Sequence, residues 1–103
     1  MGTKAERRAA AKLVSGYHEA QLNELVAHVA DAVDRHRAGE LDAFEVDEVI
    51  HRYRQAARQL WTFCGQSGTG VELAAYTIRR MAEDDVKVDW WERGGSQRRR
   101  SHD

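Results

Sequence analysis

Two pairs of side chains in this sequence have the types and spacing that chemistry needs. The first is Glu48 with His51, at i, i+3. On a helix they project together and supply half the donors of a carboxylate-bridged di-metal centre, the rest coming from neighbouring helices. Glu19, Asp31 and Asp34 are the acids an adjacent helix would offer. Direction counts against this use. At about 100° per residue, Glu48 and His51 point roughly 140–160° away from the apolar stripe of their own segment. Asp31 and Asp34 also face away from theirs. A site between two copies would bury a highly charged face, so the pair reads first as solvated, and no metal or other cofactor is expected.

The second pair is His18 with Cys64. In a helical hairpin turning near residues 39–42, position 18 lies level with about position 63, at about 1.5 Å of rise per residue. Both side chains belong to inward faces, so thiol and imidazole are expected to approach. Nucleophilic catalysis also needs an orienting group, an oxyanion site and a cleft, and nothing in the sequence supplies them. The expectation is a buried cysteine beside a histidine bonded to a carbonyl or a tyrosine. No catalytic residue is assigned. There is no Walker loop, GxGxxG, HExxH or zinc-ribbon spacing, and the QSGTG run at 66–70 lacks the lysine and strand of a phosphate cradle.

Large aromatic side chains are the third feature. Tyr53, Trp61, Phe63, Trp90 and Trp91 are many for so short a chain, and Phe44 falls on the polar side of its segment. Such rings dominate both cores and binding hot spots. Phe44, Trp61, Trp90 and Trp91 are the candidate partner-binding residues.

These groups must be held by helices. Residues 42–64 are the clearest: Asp42 and Glu45 have capping-box spacing, with Leu41 and Val46 as a hydrophobic staple. Val46, Val49, Ile50, Tyr53, Ala57, Leu60, Trp61 and Cys64 then form one broad stripe, and Gly65 stops it. Residues 17–38 form a second helix with His18, Leu22, Leu25, Val29, Val33 and His36 on one face. The short link between them makes an antiparallel hairpin. A third helix spans 70–83, with Thr69 and Glu72 at capping-box spacing; Glu83, Asp84 and Asp85 end it because acids oppose the dipole there. Residues 86–91 alternate weakly and are expected to be extended, folding back so that Trp90 or Trp91 covers one end of the bundle.

The 103 residues, with no proline and one cysteine, suit a single all-α domain in a reducing compartment. The expected organisation is an N-terminal basic helical extension (1–16), frayed or loosely joined at Ser15-Gly16, a helical domain (17–93) and a disordered basic tail (94–103). At Ser15-Gly16 the helix either restarts or runs through at a cost of about 1 kcal/mol for the glycine. A small three-helix bundle is the fold class. The net charge of −1 is unevenly spread: both ends are basic, and the body between them is acidic. That is a poor match to a dedicated duplex-DNA binder, though the ends offer weak, salt-dependent contact with nucleic acid. The longest uncharged run, Gln59 to Val71, is too short and glycine-rich to span a bilayer, and no signal peptide is read. The location expected is cytoplasmic.

The segments YHEAQLNELVAHV, GELDAFEVDEVIHRYRQAARQLWTFC and VDWWERG resemble a group of small, uncharacterised actinobacterial proteins. The resemblance spans most of residues 17–93 and implies a helical cytoplasmic protein with no activity attached. The Glu48-x-x-His51 hairpin alone is similar to half-length ferritin-like chains, which implies a di-metal bundle formed by dimerisation. The leading expectation is a small non-enzymatic interaction protein, a homodimer of packed hairpins being one form of it.

Overall fold

The computed structural model describes residues 3–65 and 69–100, with side chains for all of these except 69 and 96–100. It is all-α. Four helices are present among the described residues: α1 (Lys4–Arg37), α2 (Ala43–Phe63), α3 (Thr69–Glu83) and α4 (Trp90–Arg100). The three-helix expectation is thus short by one.

α1 begins at a complete capping box, with Glu6 N–H donating to Thr3 Oγ1 (3.1 Å) and Thr3 N–H donating to Glu6 Oε1 (2.7 Å). It then runs 34 residues without a break. Ser15-Gly16 does not interrupt it, so the loose join expected there is corrected. Ala10 and Val14 are buried in the core, and tertiary packing of that size outweighs the roughly 1 kcal/mol propensity cost of one glycine. The turn after Arg37 is tied by Glu40 N–H to Arg35 O (2.8 Å) and by His36 Nδ1–H to Leu41 O (3.0 Å).

The predicted box at Asp42 and Glu45 starts α2, with both reciprocal hydrogen bonds at 2.8 Å. α1 and α2 pack as the expected antiparallel hairpin. α2 ends at Cys64, and Gly65 has φ +60°. A Cβ there would run into the Gly70 backbone, so only glycine lets the chain double back into α3. Residues 66–68 and the Thr69 side chain, on which the phosphate-cradle and third capping-box readings fall, lie outside the described residues.

α3 lies against the N-terminal half of α1, with Ala74, Ala75 and Ile78 joining Ala10 and Val14 in one core. It stops at Glu83 as the acidic run requires, closed by Val86 N–H to Met81 O (2.8 Å). α4 is the unexpected element. Asp89 accepts from Glu92 N–H (3.1 Å) as its cap, and the helix continues to Arg100. The disordered tail expected from residue 94 is therefore corrected to helix over 94–100, and 101–103 lie outside the described residues. The physical reason is close packing. Gly94 and Gly95 are buried; a Cβ on Gly94 would sit 3.2 Å from Ala56, and one on Gly95 2.5 Å from the Arg52 guanidinium. Read as chain breakers, these glycines instead allow two backbones to meet. None of the described helices is long and apolar enough to cross a membrane.

Candidate functional site

The α1–α2 hairpin has two broad sides, and α4 seals one of them. Trp90, only 3% exposed, donates from Nε1 to the Tyr17 hydroxyl (3.0 Å). Its ring meets Phe63 at 5.2 Å between centroids, and Phe63 meets Tyr17 at 5.7 Å. Burial pushes the Tyr17 phenol above its usual range, and the Trp90 N–H works against that shift. Trp91 is held between the His28 ring, parallel at 4.1 Å, and the Arg52 guanidinium at 4.7 Å. Arg52 also donates from Nε to Trp91 O (3.0 Å) and pairs with Glu92 (3.3 Å). Two of the three tryptophans expected to meet a partner, Trp90 and Trp91, are thus packed within the molecule. The extended segment expected over 86–91 is corrected at Trp90 and Trp91, which begin a helix that lies along one side of the hairpin rather than an extended cover over its end.

Beside Trp90 an open groove of about 600 Å³ runs between α2 and α4, lined by Gln55, Arg58, Phe63 and Arg93 among others. Gln55 Oε1 is buried without a hydrogen-bond partner.

The other side of the hairpin is different. At about 100° per residue, His18, Leu22, Val26, Val29 and Val33 form one band on α1. Ile50, Ala57 and Trp61 form the matching band on α2, and contact between His18 and Trp61 (4.5 Å, edge-on) shows that the two bands share one side. α4 reaches α1 at His28 and Tyr17, and the core that α3 joins includes Ala10, Val14 and Tyr17; these lie about 40–100° round the helix from His18, in the direction away from Val26. Val26 is 49% exposed, Ile50 40% and Trp61 48%. Their exposure follows from sequence: the apolar stripes of both helices are wider than one helix–helix contact can cover.

The predicted chemical pairs resolve as follows. Cys64 is buried, and desolvation pushes its thiol up to about 11, so it is an un-ionised thiol at neutral pH. His18 packs on Trp61, and its Nε2 has no hydrogen-bond partner; the carbonyl or tyrosine partner expected for it is absent, and the nearby phenol of Tyr17 is engaged by Trp90. Glu48 and His51 are exposed, and no three His, Cys, Asp or Glu side chains converge among the described residues. Phe44 is 82% exposed at the start of α2, beside Asp42, Glu45 and Glu48. His36 is bonded in the turn, and His102 lies outside the described residues.

Arg52, His28, Tyr17 and the two glycines were the residues that sequence reasoning missed. A signal was present: Trp90 and Gly94, like Trp91 and Gly95, are spaced i, i+4 and so share a helical face. No protein family, curated protein or solved structure matches the chain.

His18 carries a pH dependence. Burial lowers its pKa in the folded protein, so the unfolded chain takes up the proton first as pH falls through about 6.5. Stability is therefore full above that value and declines below it, down to the folded-state pKa. Urea midpoints compared at neutral and mildly acidic pH should show this loss, and His18→Phe should reduce it.

Proposed function

We propose that this chain is a small non-enzymatic interaction module whose binding surface is the open side of the α1–α2 hairpin. One observation carries the reading: Val26, Ile50 and Trp61 stand 40–49% exposed on the one broad side that neither α3 nor α4 covers. A contiguous apolar band of this kind, rimmed by charge, marks a contact surface, whereas single exposed apolar residues do not. Trp61 has the character of an anchor, a large ring half-seated against His18. The shape suits a helical partner, because two parallel ridges separated by a groove accept a third and fourth helix. A reducing, cytoplasmic setting agrees with a lone cysteine kept as a buried thiol.

The test separates binding from folding. Val26→Lys and Ile50→Lys should each leave stability within about 1 kcal/mol, because neither residue is in the core and each position lets the lysine head reach water. Each should sharply reduce binding of the apolar dye ANS, which the wild-type surface takes up. A wild-type protein that ignores the dye both alone and at high dilution would defeat the reading.

A further inference from the structure

We infer that the occupant of this surface is a second copy of the chain, closing a two-fold four-helix bundle. The inference rests on the reading of the open side as the contact surface and names what covers it.

The argument comes from the charges that border the apolar bands. On α1, Glu19 and Arg37 fall on the same line, about 20° beyond Val26. On α2, Asp47 and Arg58 fall about 40–60° beyond Trp61. All four are exposed, and the ion pair that Arg37 makes within the chain, with Asp34, is loose at 3.9 Å and solvated on both sides. The His18–Trp61 contact sets the level of the two helices. Residues of α1 and α2 whose numbers total about 79 stand opposite one another along the hairpin. Glu19 and Arg58 are then at the open end, and Arg37 and Asp47 toward the turn. The α1 edge carries one acid and one base, and the α2 edge carries Asp47 and Arg58 in the opposite order, with the exposed Arg54 between them about 20° from Trp61.

That order makes the surface complementary to itself. If the two-fold axis runs along the helices, each α1 lies antiparallel on its partner's α2 at the same level. Glu19 then faces the partner subunit's Arg58, and Arg37 faces the partner subunit's Asp47. If the axis runs across the helices, each α1 lies on its partner's α1 with levels reversed. Glu19 then faces the partner subunit's Arg37, and Asp47 faces the partner subunit's Arg58. The named opposite charges meet in both arrangements and every pair of packed helices is antiparallel, but the second brings Arg54 beside the partner subunit's Arg54, which favours the first. Rim pairs of this kind contribute little affinity in water. They do choose the partner, because like charges in their place are costly. The affinity comes from Val26, Ile50 and Trp61.

Sedimentation equilibrium of the full chain decides it. The wild type should be dimeric at about 100 μM, and Glu19→Arg should weaken the dimer by about tenfold or more. Adding Arg58→Glu or Arg37→Glu to Glu19→Arg should restore it, and whichever does so identifies the axis. Circular dichroism of each variant checks that the helices persist. A dimer untouched by Glu19→Arg, or one weakened and restored by neither second change, overturns the inference. A wild-type monomer that still binds ANS in an Ile50-dependent way overturns the second copy while leaving the contact surface in place.

Discussion

Trp90→Ala should be among the most damaging single substitutions in this protein, removing about 3–5 kcal/mol of stability. The side chain is 3% exposed and touches three elements at once: its own helix, Phe63 of α2 and Tyr17 of α1. Truncation leaves a cavity that none of these can collapse into, because each is fixed by its own helix. It also strands the Tyr17 hydroxyl. For a domain whose total stability is on the order of 5–15 kcal/mol, such a loss is most of the margin. Urea denaturation followed by circular dichroism measures it. Trp90→Phe isolates the hydrogen bond from the packing: it keeps a ring against Phe63 and should cost closer to 1–2 kcal/mol. Equal losses from the two substitutions would mean that the Tyr17 contact, and not the ring, fixes α4.

The second large effect belongs to Gly94. A Cβ there already sits 3.2 Å from Ala56 and from Arg52 O, and a branched side chain must push α4 bodily off α2. Gly94→Val should therefore cost about 1–3 kcal/mol as over-packing, despite the better helix propensity of valine. It should also free Trp91 from Arg52, seen as a change in tryptophan fluorescence before global unfolding. Gly16 provides the internal comparison. It too is helical, but nothing lies within 4 Å of where its Cβ would be, so Gly16→Ala should stabilise by about 0.5–1 kcal/mol. Opposite signs at two helical glycines would show that contact with a neighbouring helix, and not backbone entropy, governs Gly94.

The contrast between these glycines explains how far the sequence could be read. The hairpin was legible because its signals are local: Asp42 with Glu45 and the apolar stripe of 42–64 lie within one segment. The end of α3 at Glu83 was legible for the same reason. α4 was not, since its stability is not its own. WWERGGSQRRR has poor intrinsic helicity, and what orders it is Arg52 and Ala56, about forty residues earlier, together with Tyr17 and His28 on α1. A pattern confined to one window cannot register a partner that distant. Ser15-Gly16 misled in the mirror sense: a local breaker was overruled by the burial of Ala10 and Val14. Of the candidate contact residues, Phe44 stayed at the surface, as its place on the polar side indicates, whereas Trp61, read as part of the inward stripe of α2, is half exposed at that stripe's edge. Trp90 and Trp91 were drawn inside by the same distant partners.

α1 is the longest of the described helices, and the others are hung on it unevenly. α2 lies along its C-terminal two-thirds, α3 is fastened to its N-terminal half, and α4 rests chiefly on α2. A load applied at one end therefore travels to the other chiefly along the backbone of α1, with the close approach of Gly65 to Gly70 as a second tie. Melting a turn near Gly16 would leave α3 joined to the hairpin only at that second tie, without disturbing the Trp90 cluster's contacts with α2. Amide exchange should accordingly report two communities of protons, one reading the α3 attachment and the other the hairpin, with α1 belonging to both.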